Sequence, residues 1–298
     1  MPTNNTMSHK SGFVNILGNP NVGKSTLMNA LTGIKLSIIT SKVQTTRHRI
    51  MGIVNGEDFQ IIYSDTPGII HPVYKMHEVM VKSAYSALSD ADIILFVTDI
   101  YESVDPSQDI IKRLGKTKIP VLLLINKIDL GNQGSVDQRI TAWSDILPDA
   151  EIIPVSALKK FNLEKIFERI ITLLPESPPY YPKDELTDKS ERFFVSEIIR
   201  EKILMNYRKE VPYSVEVEVI SFKESEGLIS TSVNIYVMRD SQKGIIIGRQ
   251  GLALKKTGTM ARKELEDFFE KKVFLEIQVK VKKDWRNNPR MLKQFGYI

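Results

Sequence analysis

The chain has no cysteine at all. Disulfides and thiolate metal sites are therefore excluded, and the composition fits a reducing cytosol, so the expected location is cytoplasmic. Long apolar runs are also missing. The longest, such as Val-Leu-Leu-Leu-Ile at 121–125, fall far short of a membrane-spanning helix, which disfavours a transporter or channel. The first twelve residues, MPTNNTMSHKSG, lack the apolar centre of a signal peptide. Residues 1–10 read as a flexible polar tail, with Met7 a second candidate start. No internal repeat or low-complexity tract is present. What is there looks ordinary: 298 residues, 42% hydrophobic and 26% charged, enough for two domains.

Charge is distributed unevenly. Residues 1–180 hold 18 Lys and Arg against 18 Asp and Glu, whereas residues 239–298 hold 15 against 7. A neutral first half and a basic end suit a C-terminal part that meets a polyanion, although a solvated basic face has the same composition. Four prolines between 175 and 182, followed by polar residues, interrupt the pattern. Proline removes a backbone donor and biases its predecessor away from helix, so 177–190 is assigned as a linker. The resulting domains are 11–176 and 191–298.

The first domain alternates apolar runs at 13–17, 49–54, 59–63, 92–98, 121–125 and 151–155 with helical patterns at 24–32, 76–89, 106–115, 135–146 and 162–174. Such alternation predicts an α/β fold, a mostly parallel sheet with helices on both faces. Asn55-Gly56 is a hairpin signal, so the second and third strands are expected to be antiparallel. The second domain begins with a helix at 191–207 and continues with strands at 213–224 and 228–239. A short helix, Gly-Arg-Gln-Gly at 248–251, a longer helix to about 270 and a strand at 273–283 follow. Its strands alternate apolar and polar residues, which predicts an α+β module with helices on one side.

Four segments carry the chemistry, and all are predicted at the C-terminal ends of strands, the edge where open α/β sheets bind ligands. Gly18-Asn19-Pro20-Asn21-Val22-Gly23-Lys24-Ser25-Thr26 fits the phosphate loop, between a strand and a helix as that motif requires. Gly18 and Gly23 let backbone N–H groups wrap phosphates. Lys24 places charge on the β- and γ-phosphates, Ser25 can ligate Mg²⁺, and Thr26 can reach the α-phosphate. Asp65-Thr66-Pro67-Gly68-Ile69 reads as a switch: Asp65 can hold Mg²⁺, and the Gly68 N–H can sense the γ-phosphate. In Asn126-Lys127-Ile128-Asp129, a carboxylate such as that of Asp129 can accept from both N1–H and the 2-amino group of guanine. Ser156-Ala157 offers an amide to guanine O6, so GTP and GDP are the expected nucleotides. Residues 34–49 lie where a first switch belongs. Thr45 and Thr46 both qualify as its metal ligand, and Thr46 is preferred.

Taken in this order, GNPNVGKST, QTTRHRIMGI, DTPGI, NKID and SALK resemble the Era GTPases of bacteria, of the translation-factor-related class of G proteins. The resemblance extends over the whole chain. Many nucleotide switches carry a glutamine after the glycine to orient water, but here Ile69 stands in its place. The resemblance implies that Asn21 helps bind K⁺ beside the phosphates, and that hydrolysis is slow, Mg²⁺-dependent and K⁺-stimulated. The candidate catalytic residues are Lys24, Asn21, Gly68 and Thr46. No side chain qualifies as a general base.

In the second domain, Gly248-Arg249-Gln250-Gly251 lies between two helices, in the element order of a type II KH domain. Ile245, Ile246 and Ile247 precede it, and Lys255 and Lys256 follow on the next helix. In KH domains the loop clamps a backbone of about four nucleotides and bases lie in an apolar groove. Ile245, Ile247, Gly248, Arg249, Gln250, Gly251, Lys255 and Lys256 are the expected RNA contacts. Trp285, with Arg286, Arg290 and Lys293, suits either stacking on RNA or a last helix packed on the domain. Family resemblance implies the 3′ end of 16S rRNA and the 30S subunit as partners, with peripheral contact at the inner face of the cell membrane. The chain is expected to be monomeric. A different class of function, a passive KH-type RNA binder with a nucleotide-stabilised scaffold, has the same motifs.

Overall fold

The six apolar runs of the first half become six strands of one sheet, in the order β2-β3-β1-β4-β5-β6 of a computed structural model that describes residues 9–103 and 105–298. Residues 1–8, most of the expected tail, lie outside the described residues. The elements are β1 (Lys10–Leu17), α1 (Lys24–Thr32), β2 (Ile50–Asn55), β3 (Phe59–Asp65), α2 (Lys75–Ser89) and β4 (Ile93–Asp99). Then come α3 (Asp109–Leu114), β5 (Val121–Asn126), α4 (Gln133–Ile146), β6 (Glu151–Pro154) and α5 (Leu163–Leu173). Lys10, assigned to the tail from sequence, already belongs to β1, where its amide donates to Asp58 O at 2.9 Å.

β2 and β3 are antiparallel across Asn55-Gly56, and every other pairing is parallel. β4 and β5 are buried along their whole length, as strands covered on both faces must be. Phe96 and Trp143 meet edge to face at 5.7 Å under α4. Truncating such a buried aromatic typically costs about 3–5 kcal/mol. Register aligns the strand ends: Ile16 pairs with Asp65, Leu17 with Phe96, Asp99 with Asn126 and Ile125 with Pro154. The loops after β1, β3, β4, β5 and β6 therefore open from one edge.

The proline-rich segment is not loose. Ile53 N–H donates to Leu186 O at 2.9 Å, Met51 N–H to Asp188 Oδ1 at 2.9 Å, and Thr187 Oγ1 to Met51 O at 2.6 Å. Buried Gln60 accepts from the amides of Tyr180 and Tyr181. The segment thereby covers the outer edge of β2, which would otherwise offer unpaired backbone groups.

The chain forms two compact units. The first holds the described residues up to Ser37, then Thr46–His71 and Met80–Asp188; the second holds Ile38–Thr45, Pro72–Val79 and Lys189–Ile298. Contiguous boundaries read from sequence do not anticipate the two short segments of the second unit. That unit contains α6 (Glu191–Asn206), β7 (Glu216–Glu224), β8 (Leu228–Val237), α7 (Asp240–Ile247), α8 (Leu252–Phe269), β9 (Lys272–Val281) and α9 (Pro289–Gln294). β8 is central, antiparallel to β7 and parallel to β9. β7 starts later than the alternation predicts because Pro212 opens a 3₁₀ turn over Val211–Ser214. Val233, Ile235 and Val237 face a core shared with Ile199, Ile203, Ile246, Ala261 and Leu265 of the three longer helices. Tyr236, on the opposite face, contacts Phe295 with ring centroids at 5.4 Å. So the C-terminal segment caps the other face of the sheet, where helices on one side were expected.

Candidate functional site

In the first unit, the turn after β1 is shaped by close approach. Gly23 has φ 101°, and a Cβ there would lie 2.2 Å from Asn126 Nδ2. Lys24 opens α1 yet is buried; its Nζ donates to Gly18 O at 3.0 Å and Asn19 O at 2.9 Å. Burial lowers the Lys24 pKa to about 8, with the charges of Asp65 and Glu102 opposing the shift. Val22 and Pro67 are buried, and the Ile69 amide donates to Gly18 O at 3.3 Å, so the switch turn rests on the phosphate loop. Thr66 is also buried and its hydroxyl donates to Ile16 O at 2.8 Å, which gives it a bracing part rather than a ligand-facing one.

Ser25, Thr46 and Asp65 converge. Ser25 Oγ donates to Asp65 Oδ2 at 2.7 Å and lies 2.8 Å from Thr46 Oγ1, which reaches the same carboxylate oxygen at 3.3 Å. Thr45 points elsewhere, its hydroxyl bonded to Thr40 Oγ1 and Lys42 O. Asp65 is fully buried, which pushes its carboxyl upward, and its Oδ1 has no hydrogen-bond partner among the described residues. A buried carboxylate oxygen without a partner is costly unless something else meets it. Three hard oxygen donors around it fit a small divalent cation such as Mg²⁺.

The two segments expected to read the base meet through Asn126. Its Nδ2 donates to Val22 O at 2.8 Å and its Oδ1 accepts the Ala157 N–H at 3.0 Å. One amide thus ties the phosphate loop to the loop after β6. The Ala157 donor expected for guanine O6 is already used by Asn126. Asp129 Oδ1 accepts from Ser156 Oγ at 2.6 Å, which orients the carboxylate. Lys127 has φ 62° and its Nζ pairs with Asp99 Oδ2 at 2.7 Å. Ile128 is half-buried and its amide donates to Val155 O at 3.3 Å.

Sequence reading misses two carboxylates. Asp99 holds Lys127, and Glu102 accepts from Asn19 Nδ2 and from Thr98 Oγ1, the latter at 2.6 Å. Asp99 ends β4 at the same sheet edge as the four motifs, and that position was the available signal. Asn21, by contrast, is exposed at φ 66° and its side chain has no partner among the described residues. Ile69 packs against the cluster around Leu17 and Ile100, so its side chain anchors the turn.

In the second unit, the Gly248–Gly251 loop joins α7 to α8. Gly248 has φ 72°, and a Cβ there would sit 2.5 Å from the Ala253 Cβ. Gln250 is left-handed at φ 52°. Arg249, Gln250, Lys255 and Lys256 are exposed. The three isoleucines divide: Ile246 is core, Ile247 packs partly against that core, and Ile245 is half exposed. Leu252, exposed at the first position of α8, adds apolar surface that sequence reading did not single out. Trp285 is fully buried, with Nε1 donating to Ser214 O at 3.1 Å, so it packs the domain and cannot stack on RNA.

Comparison with known proteins agrees with both halves. A family model described as 50S ribosome-binding GTPase matches residues 13–127, and a KH domain model matches 210–286. The GTPase Era of Clostridium kluyveri is 49% identical over 290 residues, covering 97% of this chain and 99% of that protein. The structure of Era in complex with MgGDPNP and nucleotides 1506–1542 of 16S ribosomal RNA superposes with a TM-score of 0.92 at 41% identity, over 97% of this chain and 99% of that one. Aquifex aeolicus Era Y63A bound to GDP·AlF4⁻ gives 0.90 at 40% identity, with the same coverage. Phosphate loop, switch, base-reading loops and KH module thus occur together, in one order and over nearly the full length: the chain belongs to the Era family of GTPases.

Proposed function

We propose that this protein is a GTP-hydrolysing RNA-binding switch that binds the 3′ end of 16S rRNA and assists 30S subunit assembly. The observation that carries this is the convergence of Ser25, Thr46 and Asp65 beside Lys24, at the sheet edge where Asn126, Asp129 and Ala157 also lie. Lys24, now donating to two loop carbonyls, exchanges them for β- and γ-phosphate oxygens, with the backbone of 18–26 around them. Ser25, Thr46 and Asp65 hold Mg²⁺, which supplies positive charge where the transferred phosphoryl group develops negative charge. Asp129, oriented by Ser156, reads guanine N1–H and its amino group, while Ala157 shares its amide between Asn126 and O6. The Gly68 N–H faces the γ-phosphate. The backbone and the charges around the site place the attacking water.

Asn21 is assigned to a K⁺ ion, supported by its exposed, unpartnered side chain and the lack of a glutamine at 69. Hydrolysis should be slow and rise in K⁺ relative to Na⁺, and Asn21→Ala should lose that difference. Equal stimulation in the variant would reject the ion role. In the second unit, Gly248–Gly251 clamps the RNA backbone, Arg249, Gln250, Lys255 and Lys256 line its path, and Ile245 and Ile247 support the bases. Residues 11–176 and 191–298 serve as nucleotide and RNA domains of a monomer that works in the cytoplasm. Contact with the cell membrane is assigned as peripheral; no described helix is long and apolar enough to cross a membrane.

The test is binding of a single-stranded RNA matching the 16S 3′ end, at one stated salt concentration, with the protein loaded with a non-hydrolysable GTP analogue or with GDP. Tighter binding in the GTP form is expected. Equal binding leaves a constitutive RNA binder, because a ligand without state preference shifts nothing.

A further inference from the structure

Glycine lets the turn between α7 and α8 bend, but it does not fix the helices on either side. Within the second unit, one phenol oxygen from a third element reaches both. Tyr207 ends α6, where its backbone N–H donates to Ile203 O at 3.1 Å, and its ring belongs to the core. Its hydroxyl donates to the Ile246 carbonyl at 2.7 Å and accepts from Thr257 Oγ1 at 3.2 Å. Ile246 lies in the last turn of α7 and Thr257 in the second turn of α8. Asn206 Nδ2 in turn donates to Thr257 Oγ1 at 3.2 Å. Three hydrogen bonds therefore run in one direction, from Asn206 through Thr257 and Tyr207 to the Ile246 carbonyl. Bonds chained in this way polarise and strengthen one another.

The last carbonyls of a helix find no partner within it, and α7 leaves helical geometry at Gly248, with φ 72° and ψ 177°. For Ile246 the Tyr207 hydroxyl is the donor. Ile246, Tyr207 and Thr257 are all buried, and a buried carbonyl left without a donor is costly. Burial pushes the Tyr207 phenol pKa above its ordinary 10, with the Thr257 bond opposing, so the hydroxyl keeps the proton it donates. Only Ile247 stands between the carbonyl so held and Gly248, and planar peptides pass a displacement of one to the other. We propose that Tyr207 is a positioning residue for RNA binding, whose hydroxyl ties the end of α7 to α8 and so holds Gly248–Gly251 in the shape that meets an RNA backbone. The proposal rests on the reading of that loop as an RNA clamp made above. Phenylalanine at 207 fills the same core volume but has no proton for the carbonyl.

The experiment uses the full chain, loaded throughout with one non-hydrolysable GTP analogue, and the variants Tyr207→Phe, Thr257→Val and Thr231→Val. Thr231 is the control: its buried hydroxyl donates to Ser221 O at 2.9 Å, with both partners inside the sheet. For each protein the affinity and dissociation rate of a single-stranded RNA matching the 16S 3′ end are measured at several salt concentrations. Amide hydrogen exchange at 248–251 and the thermal midpoint are measured beside them. Tyr207→Phe should weaken RNA binding about fivefold, through faster dissociation. The slope of affinity against salt should stay the same, because no charge changes, and the amides of 248–251 should exchange faster. Thr231→Val should lose thermal stability yet bind RNA as the wild type does. Wild-type affinity in Tyr207→Phe would overturn the proposal. So would an equal loss of affinity in Thr231→Val, which would trace the effect to stability alone. If Tyr207→Phe fails to fold, Thr257→Val takes from the phenol its bond to α8, and wild-type affinity with wild-type exchange there counts against the proposal. A wild-type chain that does not bind this RNA would sink the clamp reading itself, an outcome distinct from wild-type binding left intact by Tyr207→Phe.

Discussion

The loops at 18–25 and 248–251 are built alike and used differently. Each is a glycine-bent turn that opens a helix, α1 in one case and α8 in the other. In the first, the side chains are held by the protein itself: Lys24 is buried on two carbonyls, and Ser25 is bonded to Asp65 and Thr46. In the second, Arg249, Gln250, Lys255 and Lys256 stand in solvent, and only the backbone is constrained. Preorganised, desolvated charges suit one ligand of fixed shape, a triphosphate. An exposed basic rim around a rigid backbone turn suits a flexible polyanion whose phosphates differ in position from one nucleotide to the next.

The sharpest way to break this contrast is to remove one charge from each loop. Lys24→Ala should weaken GTP binding by about a hundredfold or more, since a buried charge-assisted contact is lost and its cavity remains. Arg249→Ala should weaken RNA binding only about threefold, with a salt dependence reduced by about one phosphate contact. Titrations of nucleotide and of RNA at several salt concentrations check both. Comparable losses at the two loops would mean that the RNA loop is preorganised after all.

Backbone shape is where the second loop should prove intolerant. Gly248→Val combines φ 72° with a Cβ clash against Ala253, which is backbone-attached and cannot swing away. RNA affinity should fall about tenfold or more, well beyond the loss from Arg249→Ala. An Arg249→Ala effect larger than that of Gly248→Val would reverse the assignment of side chain and backbone roles.

The same contrast governs what could be read from sequence. The phosphate loop, Asp65, Asn126 and Asp129 stand out because strand, loop and helix context constrains each residue type, and the mostly parallel sheet with its antiparallel β2-β3 pair followed from alternation and the Asn55-Gly56 turn, whereas the strand order did not. Glu102 and the buried charges of α6 were not legible. Nothing local marks Glu102 as the partner of Asn19, or Arg200 as the partner of a carbonyl 155 residues away. In ERFFVSEIIREKILMNY the charges of Glu197, Arg200 and Glu201 are buried, and Arg200 and Glu201 bond the backbone of segment 38–45. Trp285 shows the reverse case: an aromatic among basic residues also fits RNA stacking, and only tertiary burial decides for packing.

The smallest expected effect is a proton. Burial holds Lys24 near a pKa of about 8, below its ordinary 10.5, so the folded chain sheds this proton before the unfolded chain does. Folding stability from this group should therefore rise as pH climbs from about 8 to 10.5, and that gain is lost as pH falls back through 8. Phosphate oxygens reverse the balance by favouring the charged amine, so nucleotide binding should take up a proton at pH above about 8. Affinity for GTP should then weaken by at most about tenfold per pH unit in that range. Calorimetry in buffers of different ionisation enthalpy reads the uptake directly: close to none at pH 7, approaching one proton at pH 9. RNA binding at the solvated loop over the same range should take up far less. Proton uptake of similar size for RNA would erase the distinction between a desolvated site and a solvated one.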